Sequence, residues 1–387
     1  MLDVPVTASQ RAELIDVLRG TNGTIRGRGR ALVLDYRHRG VTDLSDWLLD
    51  GQVEWDTTTG DGVERTAAAT ILDPDGRAGL DGSVVTGTSA RVDRYLNLRR
   101  DIWLPSHETW ASIPIFTGPL SEVTRDGDTI SLAAQGKESL AMVPLMTPLS
   151  WPKGTRRRQV IVDLLTKGAG EQSLDIPTGT GARLGKAFSV ARVYGDEVQT
   201  VWAKARAQAR VMGLQLFYDA RGVARLRKRP VRPVWGFRAD DLAGRPTSAE
   251  SVREIVNTVA VVGGVPKGGK TPVALRRSLP DTHPWSPAAL GRNGVGRYLV
   301  EQVEDSELVT VKAAEDVAER RLREHETSSV DVTFDALPFP LLEPDDLFRV
   351  DADDVATVGR ASRATISVVG DLMSVGSVRV YRPRRRR

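Results

Sequence analysis

The spacing of hydrophobic and polar positions changes several times along the chain. In SQRAELIDVLR (residues 9–19), Leu14, Ile15 and Leu18 recur at helical spacing, with Ser9 placed to cap the helix and Gly20 to stop it. From Ala31 to about Ala141 the period falls to two. ALVLDY, RTAAATILDP, DRYLNLRRDIWL, IPIFTGPLSEV and DTISLAA read as short strands separated by turns such as Asp73–Gly76 and Asp126–Asp128. Many short strands without long helices predict a barrel or sandwich.

Helical periodicity returns at GTRRRQVIVDLLTKGAG, where Val160, Ile161, Leu164 and Leu165 share one face and Gly168 ends it. A second helix follows, its stripe formed by Val198, Val201, Trp202, Ala205, Ala209 and Met212 and its stop by Gly213. LQLFYDARGVARLRKRP then reads as a β-hairpin, with Leu214, Leu216 and Tyr218 on one face and the turn at Ala220 to Gly222. Strands resume with IVNTVAVVGG, a Pro/Gly-rich excursion spans about 265–297 as a loop, and a helix covers 311–325. The end alternates again through ATISVV and GSVRVY.

The pattern predicts a β-rich α+β chain, with strand-rich regions that read as barrel-like on either side of an α+β domain. The divisions are a helical arm at 1–24, a first barrel at 25–142, an α+β domain at 143–240 and a second barrel at 241–381 that carries an inserted loop and helix (265–326). A basic tail occupies 382–387. With 387 residues, several domains are expected, since single cores stop growing at about 250–300 residues. There is no cysteine, which excludes disulfides and thiolate chemistry. No signal-peptide pattern or long apolar run is seen, so synthesis as a soluble cytoplasmic protein is expected.

Charge changes the picture little. The formal net charge is +4, and taking away the five arginines of the terminal RPRRRR leaves −1, so the body is nearly neutral. The basic residues are 45 Arg and 9 Lys, a skew expected of a GC-rich genome. The tail residues Arg384, Arg385, Arg386 and Arg387 are candidates for contact with an anionic partner. RLRKRPVR (225–232) reads as a solvated strand edge whose charges discourage unwanted pairing.

The sharpest chemical motif is GVPKGGKT, Gly264–Thr271, which satisfies the P-loop spacing and would set Lys270 on a phosphate and Thr271 on magnesium. Pro272 follows at once, where a P-loop needs a helix to begin, so a flexible loop between strands is the better reading. His38, His107, His283 and His325 have no metal-ligand spacing. The pairs Asp240–Asp241, Asp345–Asp346 and Asp353–Asp354 fit a glycosidase in principle, but turns collect aspartate for local hydrogen bonding. No cofactor, metal or catalytic residue is assigned; the alternatives are a nucleotide-binding protein using Gly264–Thr271 and a carbohydrate-active tail hydrolase.

VDVTFDALPFPLLEPDDLFRVD (330–351) joins two strands through three prolines and an acidic turn. The loop reads as a stiff connector. Pro338, Pro340, Glu343, Pro344, Asp345 and Asp346 are candidates for a subunit-interface surface. This stretch, with IPIFTGPLSEVTRDGDTISLAAQGKESL (113–140) and the helix and hairpin at 196–229, resembles the bacteriophage tail hub, or baseplate hub, proteins, a family of tail-associated minor tail proteins. The resemblance implies two antiparallel β-barrel-like domains with an α+β domain between them in each chain, and a structural, non-enzymatic homotrimer at the tail tip of a virion, ring-shaped with near-sixfold symmetry. It further implies a distal tail protein and the tail tube above, tip, fibre or spike proteins below, and a tape-measure protein in the channel.

Overall fold

The structure is a computed structural model that describes residues 4, 6–19, 25–35, 40–57, 64–74, 94–177, 192–194, 199–250, 255–266, 268–283, 285–290, 296–305, 308–325, 330–352, 355–370 and 372–381. The chain forms two compact units. Unit 1 comprises Met1–Pro246, Phe334–Val355 and Ala361–Ser377; unit 2 comprises Thr247–Thr333, Ala356–Arg360 and Val378–Arg387.

Unit 1 opens with α1 (Ala8–Leu18). Its cap is Thr7, two residues before the expected Ser9: the Thr7 hydroxyl accepts from the Gln10 amide while the Gln10 side chain accepts from Thr7 N. Seven strands follow: β1 (Gly27–Asp35), β2 (Gly40–Asp43), β3 (Leu48–Asp56), β4 (Glu64–Leu72), β5 (Arg94–Leu104), β6 (Thr109–Asp126) and β7 (Thr129–Gln135). They pair antiparallel in the order β3-β4-β7-β6-β5-β1-β2. The expected alternation holds in β3 and β4, where Val53, Trp55, Ala67, Ala69 and Ile71 point into the core and Gln52, Glu54, Thr66 and Ala68 point out. The long strand β6 serves two neighbours, pairing β5 over its first part and β7 from Leu120 on, with a register shift between Leu120 and Glu122.

An α+β module comes next: α2 (Glu138–Ala141), β8 (Leu149–Trp151), α3 (Arg157–Asp163), β9 (Leu174–Asp175), β10 (Arg192–Tyr194), α4 (Val201–Val211), β11 (Gln215–Tyr218) and β12 (Ala224–Arg227). The first predicted helix is α3, which passes into a wider π turn at Leu164–Gly168. Its Val160, Ile161, Leu164 and Leu165 pack with Val201, Trp202, Ala205, Ala209 and Met212 in one apolar cluster; Val198 lies outside the described residues. α4 is capped by the Thr200 hydroxyl and stops at Gly213, whose φ of +69° suits glycine. The hairpin β11–β12 forms as expected, but both faces of β11 are buried, not one. The expectation of an open edge at RLRKRPVR is corrected. β12 has partners on both sides, β11 antiparallel and β9 parallel, and Arg225 reaches Asp175 at 3.0 Å.

Further along come β13 (Trp235–Arg238), β14 (Thr247–Glu250), β15 (Thr258–Gly263), β16 (Ala274–Ser278), α5 (Pro287–Leu290), β17 (Val300–Asp305), α6 (Val311–His325), β18 (Val330–Ala336), β19 (Leu347–Ala352), β20 (Val355–Ser367) and β21 (Met373–Tyr381). In unit 1, β13 lies parallel to β19, β19 also pairs β20, and residues 363–367 of β20 pair antiparallel with β3. The fold is thus β-rich with few helices and a large mixed sheet, and among the described residues no barrel closes on itself.

In unit 2, β14 pairs with residues 330–333 of β18. A small sheet, β16-β15-β17, buries Val259 and Val261 against Ala314, Val317, Ala318 and Leu322 of α6. The excursion expected as a loop therefore contributes a strand, β16, because its Leu275 packs against that core. No helix among the described residues is long and apolar enough to cross a membrane.

Candidate functional site

Polar chemistry gathers in unit 1 around the loop Leu337–Asp346, between β18 and β19. Its apolar part is held by aromatic contact: Phe339 stacks on Trp235 with ring centroids 4.1 Å apart, and Phe237, Phe334 and Phe348 meet edge to face beside it. The parallel register that sets Trp235 opposite Phe348 brings these rings together. Pro338, Pro340 and Pro344 are buried. Each lacks an N–H, so the loop goes inside with fewer backbone donors left to pair.

The acidic part binds inward. Glu343 Oε2 accepts from Arg65 Nη2 at 2.7 Å, with both side chains almost wholly buried, and its Oε1 accepts from Ala220 N at 3.3 Å. Asp346 Oδ2 accepts from Glu343 N at 3.0 Å, and its Oδ1 faces Arg227 Nη1 at 3.2 Å. Arg227 Nη2 also donates to Pro344 O at 2.7 Å. Asp345 adopts a left-handed φ of +63°, which aspartate tolerates, and pairs with Arg229 at 3.1 Å. Two backbone bonds tie the turn to β20, Asp345 N to Ala361 O and Ala361 N to Asp346 O. Burial pushes the Glu343 carboxyl above its ordinary value; Arg65 and Arg227 pull against this, while Asp219 and Asp346 add to it.

The hairpin turn that meets Glu343 docks on the sheet at the same place. Thr117 Oγ1 donates to Ala220 O at 3.0 Å, and the Arg65 amide donates to Glu138 at 2.7 Å. Lys137 Nζ lies 2.9 Å from Glu171, which also accepts from the Tyr218 hydroxyl at 3.0 Å and from the amides of Gln172 and Ser173. Burial, with Glu171 beside it, drives the Tyr218 hydroxyl far up, so it stays protonated. A lysine, a tyrosine and several carboxylates could in principle move protons. Here all are buried and held by one another, so the arrangement fastens the α+β module to the sheet.

These placements bear on the sequence candidates one by one. Of the six loop residues expected at a subunit surface, Pro338, Pro340, Glu343, Pro344 and Asp346 face the protein interior, and Asp345 keeps 15% of its side chain exposed. The phosphate cradle is ruled out. Gly264–Thr271 turns β15 into antiparallel β16, with Gly263 N donating to Val273 O and Val273 N to Gly264 O, and a strand begins at Ala274 where a helix would be required; Lys267 lies outside the described residues.

Asp241 accepts from Arg238 N at 2.8 Å and caps a short turn. His107 pairs with Glu13, and His325 pairs with Glu301 at 2.8 Å. Among the described residues no group of three acids or histidines could hold a metal. His38, Asp353, Asp354 and Arg384–Arg387 lie outside the described residues. Arg65 and Gln215, which no local pattern marks, reach the loop from 278 and 129 residues away, and Arg227, expected at a solvated edge, reaches it across 117.

No family model and no curated protein matches the chain. Solved structures do. A tail protein from Neisseria meningitidis is similar with a TM-score of 0.60 at 11% identity, over 91% of this chain and 96% of that one. The 43 kDa tail protein of prophage MuSo2 from Shewanella oneidensis gives 0.58 at 13%, over 90% and 98%. Prophage tail protein gp18 from Listeria monocytogenes gives 0.55 at 9%, over 90% and 95%. At such identities the likeness speaks for architecture, and the architecture of this chain is that of these phage tail proteins.

Proposed function

We propose that the chain is a structural subunit of a phage tail, positioned at the tip as its hub. The observation that supports this most is the extent of the likeness, which runs over nine-tenths of this chain and nearly the whole of three tail proteins. The buried junction agrees with it, since its acids and bases hold two parts of unit 1 together and leave no reaction to assign.

In this reading each chain supplies two barrel-like domains, and three chains close into a ring of near-sixfold symmetry. A distal tail protein and the tail tube lie above, tip, fibre or spike proteins below, and a tape-measure protein in the channel. Cyclic closure gives exposed strand edges a partner and ends growth at three copies. At the proline loop the outward contact falls to Asp345 and its partner Arg229, and the terminal Arg384–Arg387 meet an anionic neighbour. The test is particle mass in solution at micromolar concentration, with images of the particle. Three times the 42.2 kDa of one chain and a ring in projection are expected; a chain that remains single overturns the reading.

A further inference from the structure

A second gathering of charge lies on one face of β1, β5 and β6 in unit 1. Antiparallel register sets Arg26 beside Trp103 and Trp110, Arg28 beside Asp101 and Ser112, and Arg30 beside Arg99 and Pro114, and alternation puts all of them on the same side. The Arg26 guanidinium lies 5.6 Å and 5.5 Å from the ring centres of Trp103 and Trp110, and that of Arg28 lies 4.4 Å over Trp110. The two indoles meet edge to face at 5.3 Å.

Few acids answer these cations. Asp101, 1% exposed, sits beneath the row and takes Arg28 at 3.1 Å and Arg30 at 4.0 Å, while Asp43 at the rim takes Arg30 at 2.6 Å. Arg99 turns to Asn97 and Ser112. Arg26 has no acid partner among the described residues, and the Arg28 side chain is 54% exposed. The positive field is local, because the body of the chain is nearly neutral.

Contact with indole restrains the guanidinium groups; Arg28 turns Nε inward to Asp101, and its Nη donors, with those of Arg26, remain to grip a planar oxyanion. Every second residue of a strand advances about 6.6–6.8 Å, so the arginines of β1 form a row at that step. An extended peptide with an acid at every second position has the same step. β1 also offers backbone: its ladder with β2 starts at Leu32, so the described strand pairing of Gly27–Arg30 is on the β5 side.

We propose that this face docks an extended acidic segment of a partner protein, its carboxylates at alternate positions and held by Arg26 and Arg28. Nucleic acid suits the face less. The indole faces that would stack bases carry guanidinium groups, and a near-neutral body lacks the broad basic field that gathers a polyanion. The proposal does not rest on the tail-hub reading.

The test uses the full chain and a labelled short peptide of alternating threonine and glutamate. Beside it stand a peptide of the same composition with its glutamates in one block, and a single-stranded oligothymidylate. The alternating peptide is expected to bind most tightly, and Arg26→Gln to weaken it roughly tenfold without moving the unfolding midpoint; Arg28→Gln should weaken it as much but also lower the midpoint, since it takes the nearest cation from buried Asp101. Arg28→Lys, which keeps the charge and loses the planar fork, should fall between. No peptide binding, binding indifferent to these changes, displacement of the peptide by the oligonucleotide, or self-association abolished by Arg28→Gln would each overturn it, the last by placing a second copy on the face.

Discussion

Leu337–Asp346 and Gly264–Thr271 both bend the chain between strands, yet they do so by opposite means. The proline loop is buried, and its carboxylates reach Arg65, Arg227 and Arg229. The glycine–lysine loop is exposed from Gly268 to Thr271 and makes a turn between β15 and β16. Proline removes backbone donors, which lets a loop go inside without orphaned N–H groups; glycine adds conformational freedom, which a loop in water can carry at little cost. Where a loop can be placed therefore depends on how many backbone donors it must satisfy, more than on how polar its side chains are.

The largest effect separating the two loops should come from Arg65→Met, which leaves Glu343 buried without its nearest cation. Urea unfolding at pH 7 should show a loss of about 3–5 kcal/mol, and removing both charges with Arg65→Met and Glu343→Leu together should restore most of it. The single variant should also depend on pH. The Glu343 carboxyl is already raised by burial, and losing Arg65 removes a group that pulls it down. The folded variant therefore binds its proton more readily than the unfolded chain: the deficit is full above the raised value and shrinks as pH falls through it towards 4.5.

Two glycines sharpen the contrast at intermediate size. Gly222, in the turn that meets Glu343, and Gly268, in the exposed loop, have φ of +72° and +82°. A Cβ at Gly222 would lie 3.1 Å from Thr117 O and 2.8 Å from the Lys137 side chain, whereas one at Gly268 meets nothing within 4 Å. Gly222→Ala should cost about 2–3 kcal/mol and Gly268→Ala about 1 kcal/mol, the difference being packing. The smallest effect belongs to Lys270→Ala, expected within about 0.5 kcal/mol of the parent, with added magnesium and ATP shifting the melting point of neither.

Much of the local structure is legible in the sequence. Stripes such as Val201, Trp202, Ala205 and Ala209 announce α4, and alternation announces β3 and β4, because burial on one face imposes a period. The cap at Thr7 was missed by two residues, since Thr7 and Ser9 offer the same hydroxyl. The junction is the illegible part. An acidic, proline-rich stretch has the same text whether its carboxylates meet water or arginine, and Arg227 of β12 and Arg229 just beyond it read as solvent-facing until Asp346 and Asp345 come beside them. GVPKGGKT misleads in the other direction, because spacing alone does not say whether a helix or a strand comes next.

The separation of 278 residues between Arg65 and Glu343 bears on how the molecule is made. At ordinary rates of translation the cation emerges on the order of tens of seconds before its anion. Until then, closing the protein over Arg65 would strand a lone charge in a dry interior, at a cost of several kcal/mol. Chains that lack residue 343 are therefore expected to stay open at this junction, where a protease can cut them, and a later segment licenses the settling of an earlier one.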